Sequence, residues 1–157
     1  MPMFILDTTI LSNFAHIQRS DLLHVALGND AATTPIVLVE LRLGESLGLV
    51  PHCDWQWLPV VTLTDDEQRL ATGYGTQLDA GESTCLAVAR TQSWVLVSDD
   101  FAARRLAQRE GVPVSGTLGV LQKLVTSRQL TMDEADRLLT VMRNYGYRSP
   151  VRSLREL

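Results

Sequence analysis

The sequence has few cysteines and no long apolar run. Cys53 and Cys85 are its only cysteines, which argues against a disulfide framework and favours a reducing compartment. The longest apolar runs, at 36–39 and 58–61, are far too short to span a bilayer. The opening residues, MPMFILD, lack the basic region of a signal peptide. We therefore expect a cytoplasmic protein that has no membrane association.

The sequence also lacks the net positive charge that is typical of nucleic-acid-binding proteins, since its net charge is −4. The charge is unevenly distributed along the chain. Residues 1–100 carry 4 Lys/Arg against 13 Asp/Glu, whereas residues 101–157 carry 10 against 5. A patchwork of solvated charge is the ordinary explanation, but the asymmetry also fits an acidic site beside a basic surface.

Short apolar segments alternate with helix-like segments along residues 1–157, without a repeat or a linker. The alternation predicts a single α/β domain, a three-layer sandwich in which helices flank a short, mainly parallel sheet. In such folds the functional crevice lies beyond the carboxyl ends of the strands. We predict strands at 3–6, 33–35, 57–63, 94–97 and 112–114, and helices at 9–17, 21–27, 36–47, 65–72, 80–91, 101–109, 117–127 and 132–145.

Three aspartates stand at the carboxyl ends of predicted strands. Asp7 follows the first strand, and Asp99 and Asp100 follow the segment VLVS. Each of them has an ordinary alternative role as the N-cap of the next helix. One cap explains only one of the two adjacent aspartates, and the second adds a like-charge repulsion that a cation would remove.

Two glutamates stand among apolar residues of predicted helices. Glu40 shares its helix face with Leu43 and Leu47, which predicts a buried carboxylate. Glu82 also has apolar helical neighbours, but with Asp79 it forms the pattern of a capping box, and the two roles are compatible. Carboxylates that converge on one crevice need a counter-charge, and a site without His or Cys suits Mg²⁺ or Mn²⁺. Such sites commonly process phosphate esters.

The segments LDTTILSNFAHI, IVLVELRLGE, LDAGESTCLAVA and VLVSDDFAARRLA, followed by VPVSGTLGVLQKL, resemble the successive acidic motifs of prokaryotic PIN domains. The resemblance runs from about residue 3 to about residue 148 and is strongest for the branch with a GE helix start, a DD doublet and a GTLGVL segment. It implies a PIN-like fold and the activity of a metal-dependent endoribonuclease. It also implies that the protein is a VapC-like toxin of a toxin–antitoxin pair. It further implies an RNA substrate, a homodimer and a small antitoxin partner.

The resemblance assigns catalytic and metal-binding roles to four residues, Asp7, Glu40, Glu82 and Asp100. Asp99 is implied to be a further metal ligand or the support of one. Thr9 and Ser98 stand where many relatives have Asn and Thr, and we expect them to hold a ligand or a water. Glu82 is commonly Asp in the wider family, so its extra methylene leaves the choice between one and two Mg²⁺ or Mn²⁺ ions open.

Basic and hydroxyl residues near the doublet are candidates for contacts with RNA phosphates. They are Arg90, Arg104, Arg105 and Thr117. A solvated surface explains the arginines equally well, and an N-cap role is the simplest explanation of Thr117.

Tyr145, Tyr147 and Arg148 flank Gly146 near the end of the last predicted helix. Tyrosines of this kind stack on nucleic-acid bases in some proteins. Packing of the two tyrosines at a capped helix end is the simpler explanation, and the sequence alone favours it.

Two other functions compete with the nuclease interpretation. A phosphatase of the haloacid dehalogenase type would use Asp7 as a nucleophile, but Thr9 stands where it needs an acid, and Lys123, the only lysine, lies inside a predicted helix. A PIN fold that has lost its activity and serves as a binding module remains open, although all the acidic positions are filled.

Overall fold

Four short parallel strands form the centre of the computed structural model, which describes residues 3–157. They are β1 (Phe4–Leu6), β2 (Ala31–Ala32), β3 (Val95–Val97) and β4 (Val114–Ser115). The strand order is β2-β1-β3-β4, and Ile5 of β1 pairs with Ala32 on one side and Leu96 on the other. Ile5 and Leu96 are fully buried, as both faces of the sheet are covered.

Eight helices surround this sheet in the described part of the chain. They are α1 (Thr8–His16), α2 (Ser20–Leu27), α3 (Pro35–Ser46), α4 (Asp65–Tyr74), α5 (Ala80–Gln92), α6 (Phe101–Arg109), α7 (Thr117–Thr126) and α8 (Met132–Asn144). Helix α5 packs on β1 and β3 and also contacts α3, α4 and α6. The other four helices, α1, α2, α7 and α8, pack against one another. The predicted α/β architecture of a parallel sheet between helices is confirmed. None of the helices within residues 3–157 has the length and apolar character that a membrane crossing requires.

Acidic caps fix the first turn of three helices at the carboxyl edge of the sheet. Asp7 begins α1, Asp79 begins α5 and Asp100 begins α6, and each carboxylate accepts the backbone N–H three residues further on. Glu82 completes the capping box on α5 by accepting the N–H of Asp79. The capping roles that the sequence predicts for these residues are confirmed, and they leave the functional roles open.

The predicted strand at 57–63 is wrong. This segment meets the sheet only at a bridge between Thr33 and Val60, where Thr33 donates to the Pro59 carbonyl and Val61 donates to the Thr33 carbonyl, both at 2.9 Å. Pro59 has no N–H to extend a ladder, and Pro59 and Val60 are exposed. The strands predicted at 33–35 and 112–114 are displaced to 31–32 and 114–115.

The buried face of α3 also differs from the prediction. Val37 and Leu41 face the core and are 0% and 1% exposed, whereas Leu43 and Leu47 are 57% and 64% exposed. Glu40 is half-buried at the border between these two faces. Its partial burial therefore comes from its neighbours across the cleft described next, because the residues that share its helical face are in solvent.

Candidate functional site

A cleft of about 920 Å³ opens at the carboxyl edge of the sheet. Residues of α1, α3, α6 and α7, the start of α5 and the segment after α8 form its walls. Four carboxylate residues line it, Glu40, Asp79, Asp99 and Asp100. The predicted crevice beyond the strand ends is therefore present, and most of its charge is negative.

Asp7 is fully buried at the end of β1 and is tied to the cleft through Thr9. The Thr9 hydroxyl donates to Asp7 Oδ1 at 2.6 Å and accepts the backbone N–H of Asp99 at 2.9 Å, so it joins two of the strand-end aspartates. The other oxygen of Asp7, Oδ2, is buried without a hydrogen-bond partner. Burial raises the pKa of Asp7 from 3.8 to about 7, because water no longer stabilises its charge.

Glu40 approaches the cleft from α3. The Thr8 hydroxyl donates to Glu40 Oε2 at 3.3 Å, whereas Oε1 is buried without a partner. Burial and the nearby Asp79 charge raise the pKa of Glu40. Gly81, at the start of α5, leaves room for this carboxylate, since a Cβ at that position would overlap Glu40 Oε1.

Glu82 lies on the first turn of α5 in the same negative field. Its Oε2 accepts the N–H of Asp79 at 3.2 Å, as the capping box requires. Burial, followed by the charges of Asp79 and Asp100, raises the pKa of Glu82 to about 8. Asp79, which the sequence indicates only as a cap, thus raises the pKa of both glutamates.

Asp99 accepts hydrogen bonds from three donors, which belong to Asn13 and Thr117. Its Oδ2 accepts from the Thr117 hydroxyl at 2.5 Å and from Asn13 Nδ2 at 2.7 Å, and its Oδ1 accepts the Thr117 N–H at 2.9 Å. Both oxygens are therefore occupied, although burial still raises the pKa of Asp99. These bonds favour the supporting role for Asp99 over the role of a metal ligand.

Asp100 lines the cleft beside Asp99, and hydrogen bonds hold both its side chain and its backbone N–H. Its Oδ2 accepts the Ala103 N–H at 2.9 Å, and its own N–H donates to the buried Ser98 hydroxyl at 3.1 Å. Ser98 therefore orients the doublet, which is compatible with the supporting role expected for it.

Three of the four residues predicted to contact RNA phosphates bind other groups of the protein instead. Arg104 donates to the carbonyls of Ser98 and Ser115 at 2.8 and 2.9 Å and ties the ends of β3 and β4 together. Arg90 forms an ion pair with Glu110.

Thr117 is fully buried and occupied by Asp99, which makes it inaccessible to a phosphate. It is the first residue of α7 and not its N-cap, because Gly116 takes that position. Arg105 is exposed on α6 but does not line the cleft.

The carboxylates fit a hard divalent cation by their chemistry. Asp7 Oδ2 and Glu40 Oε1 are buried acceptors without donors. The pKa values of Asp7, Glu40 and Glu82 are raised because burial, and secondly nearby carboxylates, disfavour their charged forms. Within residues 3–157, no three His, Cys, Asp or Glu side chains already surround one point at ligand distance. Charged carboxylates repel one another, so a cation bound here would have to draw them together.

Aromatic and basic residues form the wall of the cleft beyond the carboxylates. The Tyr145 ring stacks on the His16 ring with 4.6 Å between their centroids and 10° between their planes. Phe101, Tyr147 and Arg148 line the same cleft. No sequence pattern predicts a role for Asn13 or His16, although Asn13 lies one helical turn after Thr9 on the same face of α1.

The comparison with family models gives a match over residues 3–157 to a family described as a PIN domain. A comparison with curated protein sequences gives no significant match. The family match covers the whole described fold, and it includes every carboxylate of the cleft.

Proposed function

Because this chain belongs to the PIN-domain family, whose members are typically nucleases, we propose that it is a metal-dependent endoribonuclease that hydrolyses RNA phosphodiester bonds. The observation that carries the proposal is the set of carboxylates in and beside one cleft, of which Asp7 and Glu40 each have a buried oxygen without a partner. Membership in this family leaves the phosphatase interpretation without support.

The roles proposed for the side chains follow from their hydrogen bonds. Asp7, Glu40, Glu82 and Asp100 would hold one or two ions, and Thr9 and the capping bonds limit the rotation of Asp7, Asp100 and Glu82. Bound Mg²⁺ or Mn²⁺ supplies Lewis acidity toward the phosphodiester and lowers the pKa of a coordinated water. Without a cation the carboxylates repel the RNA phosphates, so the apo protein binds RNA poorly.

The test is cleavage of a mixed, structured RNA in Mn²⁺, in Mg²⁺ and in EDTA. We expect cleavage by the wild type in either metal and none in EDTA. Asp7→Asn and Asp100→Asn should each lose at least 100-fold in rate, on the order of what removal of an essential catalytic group costs. Asn preserves the cap in both variants, so loss of activity would not come from loss of the helix start.

Asp65→Asn is the matched control, because Asp65 is an exposed aspartate in the first turn of α4, outside the cleft. It should cleave as the wild type does. A folded wild type that binds Mn²⁺ but cleaves none of the RNAs would favour the inactive binding module instead. Absence of Mn²⁺ binding would contradict the proposed site itself.

Two further parts of the proposal concern partners. The role as the toxin of a toxin–antitoxin pair, inhibited by a small antitoxin, rests on the resemblance of the motifs to VapC-like toxins. A homodimer is supported by an exposed apolar surface, the α3 patch, which consists of Val39, Leu43, Leu47 and Leu49. The side chains of this patch carry no charge, so two copies can meet there about a twofold axis without like-charge repulsion.

A further inference from the structure

The stacked pair of Tyr145 and His16 lines the cleft, and much of the tyrosine surface is left uncovered by the described chain. His16 covers one side of the Tyr145 ring, yet Tyr145 remains 60% exposed. Burial lowers the pKa of His16, which favours the neutral ring, and this ring is a flat support for Tyr145. A large aromatic ring that is held from behind and open in front is a stacking surface.

The position of this pair is fixed by the end of α8. Gly146 has a φ of 109°, which a residue with a side chain rarely adopts, and it turns the chain directly after Tyr145. The turn is closed by the N–H of Tyr147, which donates to the Met142 carbonyl at 3.1 Å. The tyrosine is therefore presented by an ordered helix end, and the packing role that the sequence favours explains Tyr147 better than Tyr145.

The pair faces the carboxylates across one cleft. Tyr145, Tyr147 and Arg148 line the cleft that Glu40, Asp99 and Asp100 also line. The charge of Asp99 contributes to the raised pKa of Tyr147, which shows that this wall is within electrostatic range of the site. Phe101 lines the same cleft and is 75% exposed.

Arg148 is the cation at this wall that is available for a ligand. It is exposed and forms no ion pair within residues 3–157, whereas Arg90 pairs with Glu110 and Arg104 donates to two backbone carbonyls. An aromatic face beside a free guanidinium matches a nucleotide, whose base offers a π-face and whose phosphate offers an anion. A cleft of about 920 Å³ has room for such a ligand.

We propose that Tyr145, supported by His16, is a nucleobase-binding subsite of the cleft and that Arg148 contacts the adjoining phosphate. The subsite takes an unpaired base, because a base within a duplex has no free face to stack. The inference rests on the proposed nuclease function and adds to it a preference for single-stranded nucleotides next to the cleavage point. It assigns Tyr145 and Arg148 to substrate binding and not to the chemical step.

The test compares two ligands that the protein cannot cleave, adenosine 5′-monophosphate and ribose 5-phosphate, titrated in Mg²⁺ and followed by NMR. We expect the wild type to bind the nucleotide at least five-fold more tightly than the sugar phosphate, as stacking on one aromatic ring provides. The Tyr145 ring protons should shift upfield only with the nucleotide. Arg148→Ala should lower the affinity for both ligands by a similar factor, because both carry the phosphate.

Variants of Tyr145 separate stacking from folding. Tyr145→Ala should abolish the preference for the nucleotide, whereas Tyr145→Phe should retain it because the ring remains. Val141→Ala is the control on the same helix, since Val141 is 38% exposed and lies outside the cleft. It should retain the preference.

The outcomes distinguish this inference from the proposed function. Equal affinity for the two ligands, no binding of the nucleotide, or full affinity in Tyr145→Ala would each overturn the subsite, even if RNA is cleaved. A nucleotide preference that disappears only in Tyr145→Ala would establish the subsite, even if no RNA is cleaved.

Discussion

Asp7 serves two purposes that place opposite demands on one side chain. As the N-cap of α1 it stabilises the helix start, but complete burial next to Asp99 makes its charge unfavourable. Its Oδ2 has lost contact with water without gaining a hydrogen-bond partner, which is unfavourable in the absence of a cation. The fold therefore tolerates an unfavourable group at the site where the proposed function needs it.

The pKa of Asp7 predicts how stability depends on pH without metal. Between about pH 4 and pH 7 the folded protein keeps a proton on Asp7 that the unfolded chain has released, because the pKa is raised from 3.8 to about 7. The free energy of unfolding therefore falls as the pH rises through this window, by on the order of 2–4 kcal/mol from this residue. Urea unfolding in EDTA at pH 5 and pH 8 measures the difference.

Asp7→Asn removes this contribution while it keeps a capping oxygen. The variant should lose less stability between pH 5 and pH 8 than the wild type, and at pH 8 in EDTA it should be the more stable of the two. Asp65→Asn, on the exposed start of α4, should follow the wild type. Parallel curves for Asp7→Asn and the wild type would show that Asp7 is not the buried titrating group.

The residues of the cleft differ in how far the sequence reveals them. Asp7, Asp79, Glu82 and Asp100 were recognisable because capping is a local pattern, set by residues that lie three apart in the chain. The role of Asn13 in holding Asp99 depends on a contact across 86 positions, and no local pattern encodes such a contact. For the same reason, the sequence did not show that Thr117 turns inward to Asp99.

At the scale of elements, the start of α7 is the most tightly constrained part of the cleft. Gly116 precedes the helix, and a Cβ there would lie 2.6 Å from Asp99 Oδ1 and 2.9 Å from Arg104 Nη1. The φ of Gly116 is −155°, which any residue adopts, so only space requires glycine at this position. The junction lets α7, β3 and α6 meet around Asp99 and Arg104.

Gly116→Ala should therefore disturb the cleft through steric overlap alone. We expect destabilisation of about 1–3 kcal/mol, which is typical of overpacking a buried position, together with a large loss of RNA cleavage. Gly73→Ala is the control, because Gly73 lies in α4 with nothing within 4 Å of an added Cβ and should gain about 0.5–1 kcal/mol. Urea unfolding and cleavage assays check both, and a Gly116→Ala variant as stable and active as the wild type would contradict the close approach.

The helix predictions place every α-helix, and a side-chain cap marks the predicted first residue of α4, α5, α6 and α8. Helix α6 begins and ends where the sequence predicts, at 101–109, and the other helices differ by one or two residues. The segment 57–63 fails because its β-branched residues indicate a strand while Pro59 limits the pairing to one bridge. Helix α3 fails in its buried face because it is apolar nearly all round, so periodicity does not select one side.

At the scale of the whole molecule, the exposed apolar residues of α3 are left largely uncovered by the described chain. Val39, Leu43 and Leu47 recur every four residues along one side of the helix, and each is more than half exposed. A continuous exposed stripe of this kind is typical of an interaction surface. It is the basis for locating the proposed homodimer at the α3 patch.

Leu43→Asp should convert that dimer to a monomer, because the change places two carboxylates against each other across the twofold axis. In sedimentation equilibrium we expect twice the 17.4 kDa chain mass for the wild type and 17.4 kDa for the variant. Val25→Asp, on a 51% exposed position of α2 outside the patch, should remain dimeric. A monomeric wild type, or a dimeric Leu43→Asp, would exclude the patch as the interface.

The hydrogen bonds around Asp99 also determine when the cleft can be completed while the chain is being synthesised. Asn13, Asp99 and Thr117 come from α1, the end of β3 and α7, and β1 finds its central neighbour only in β3. A nascent chain that has not yet reached residue 117 therefore lacks the two Thr117 donors of Asp99 and the wall that α7 provides. The cleft thus stays incomplete on the ribosome until α7 has been translated, and an RNA-cleaving centre would first assemble after that point.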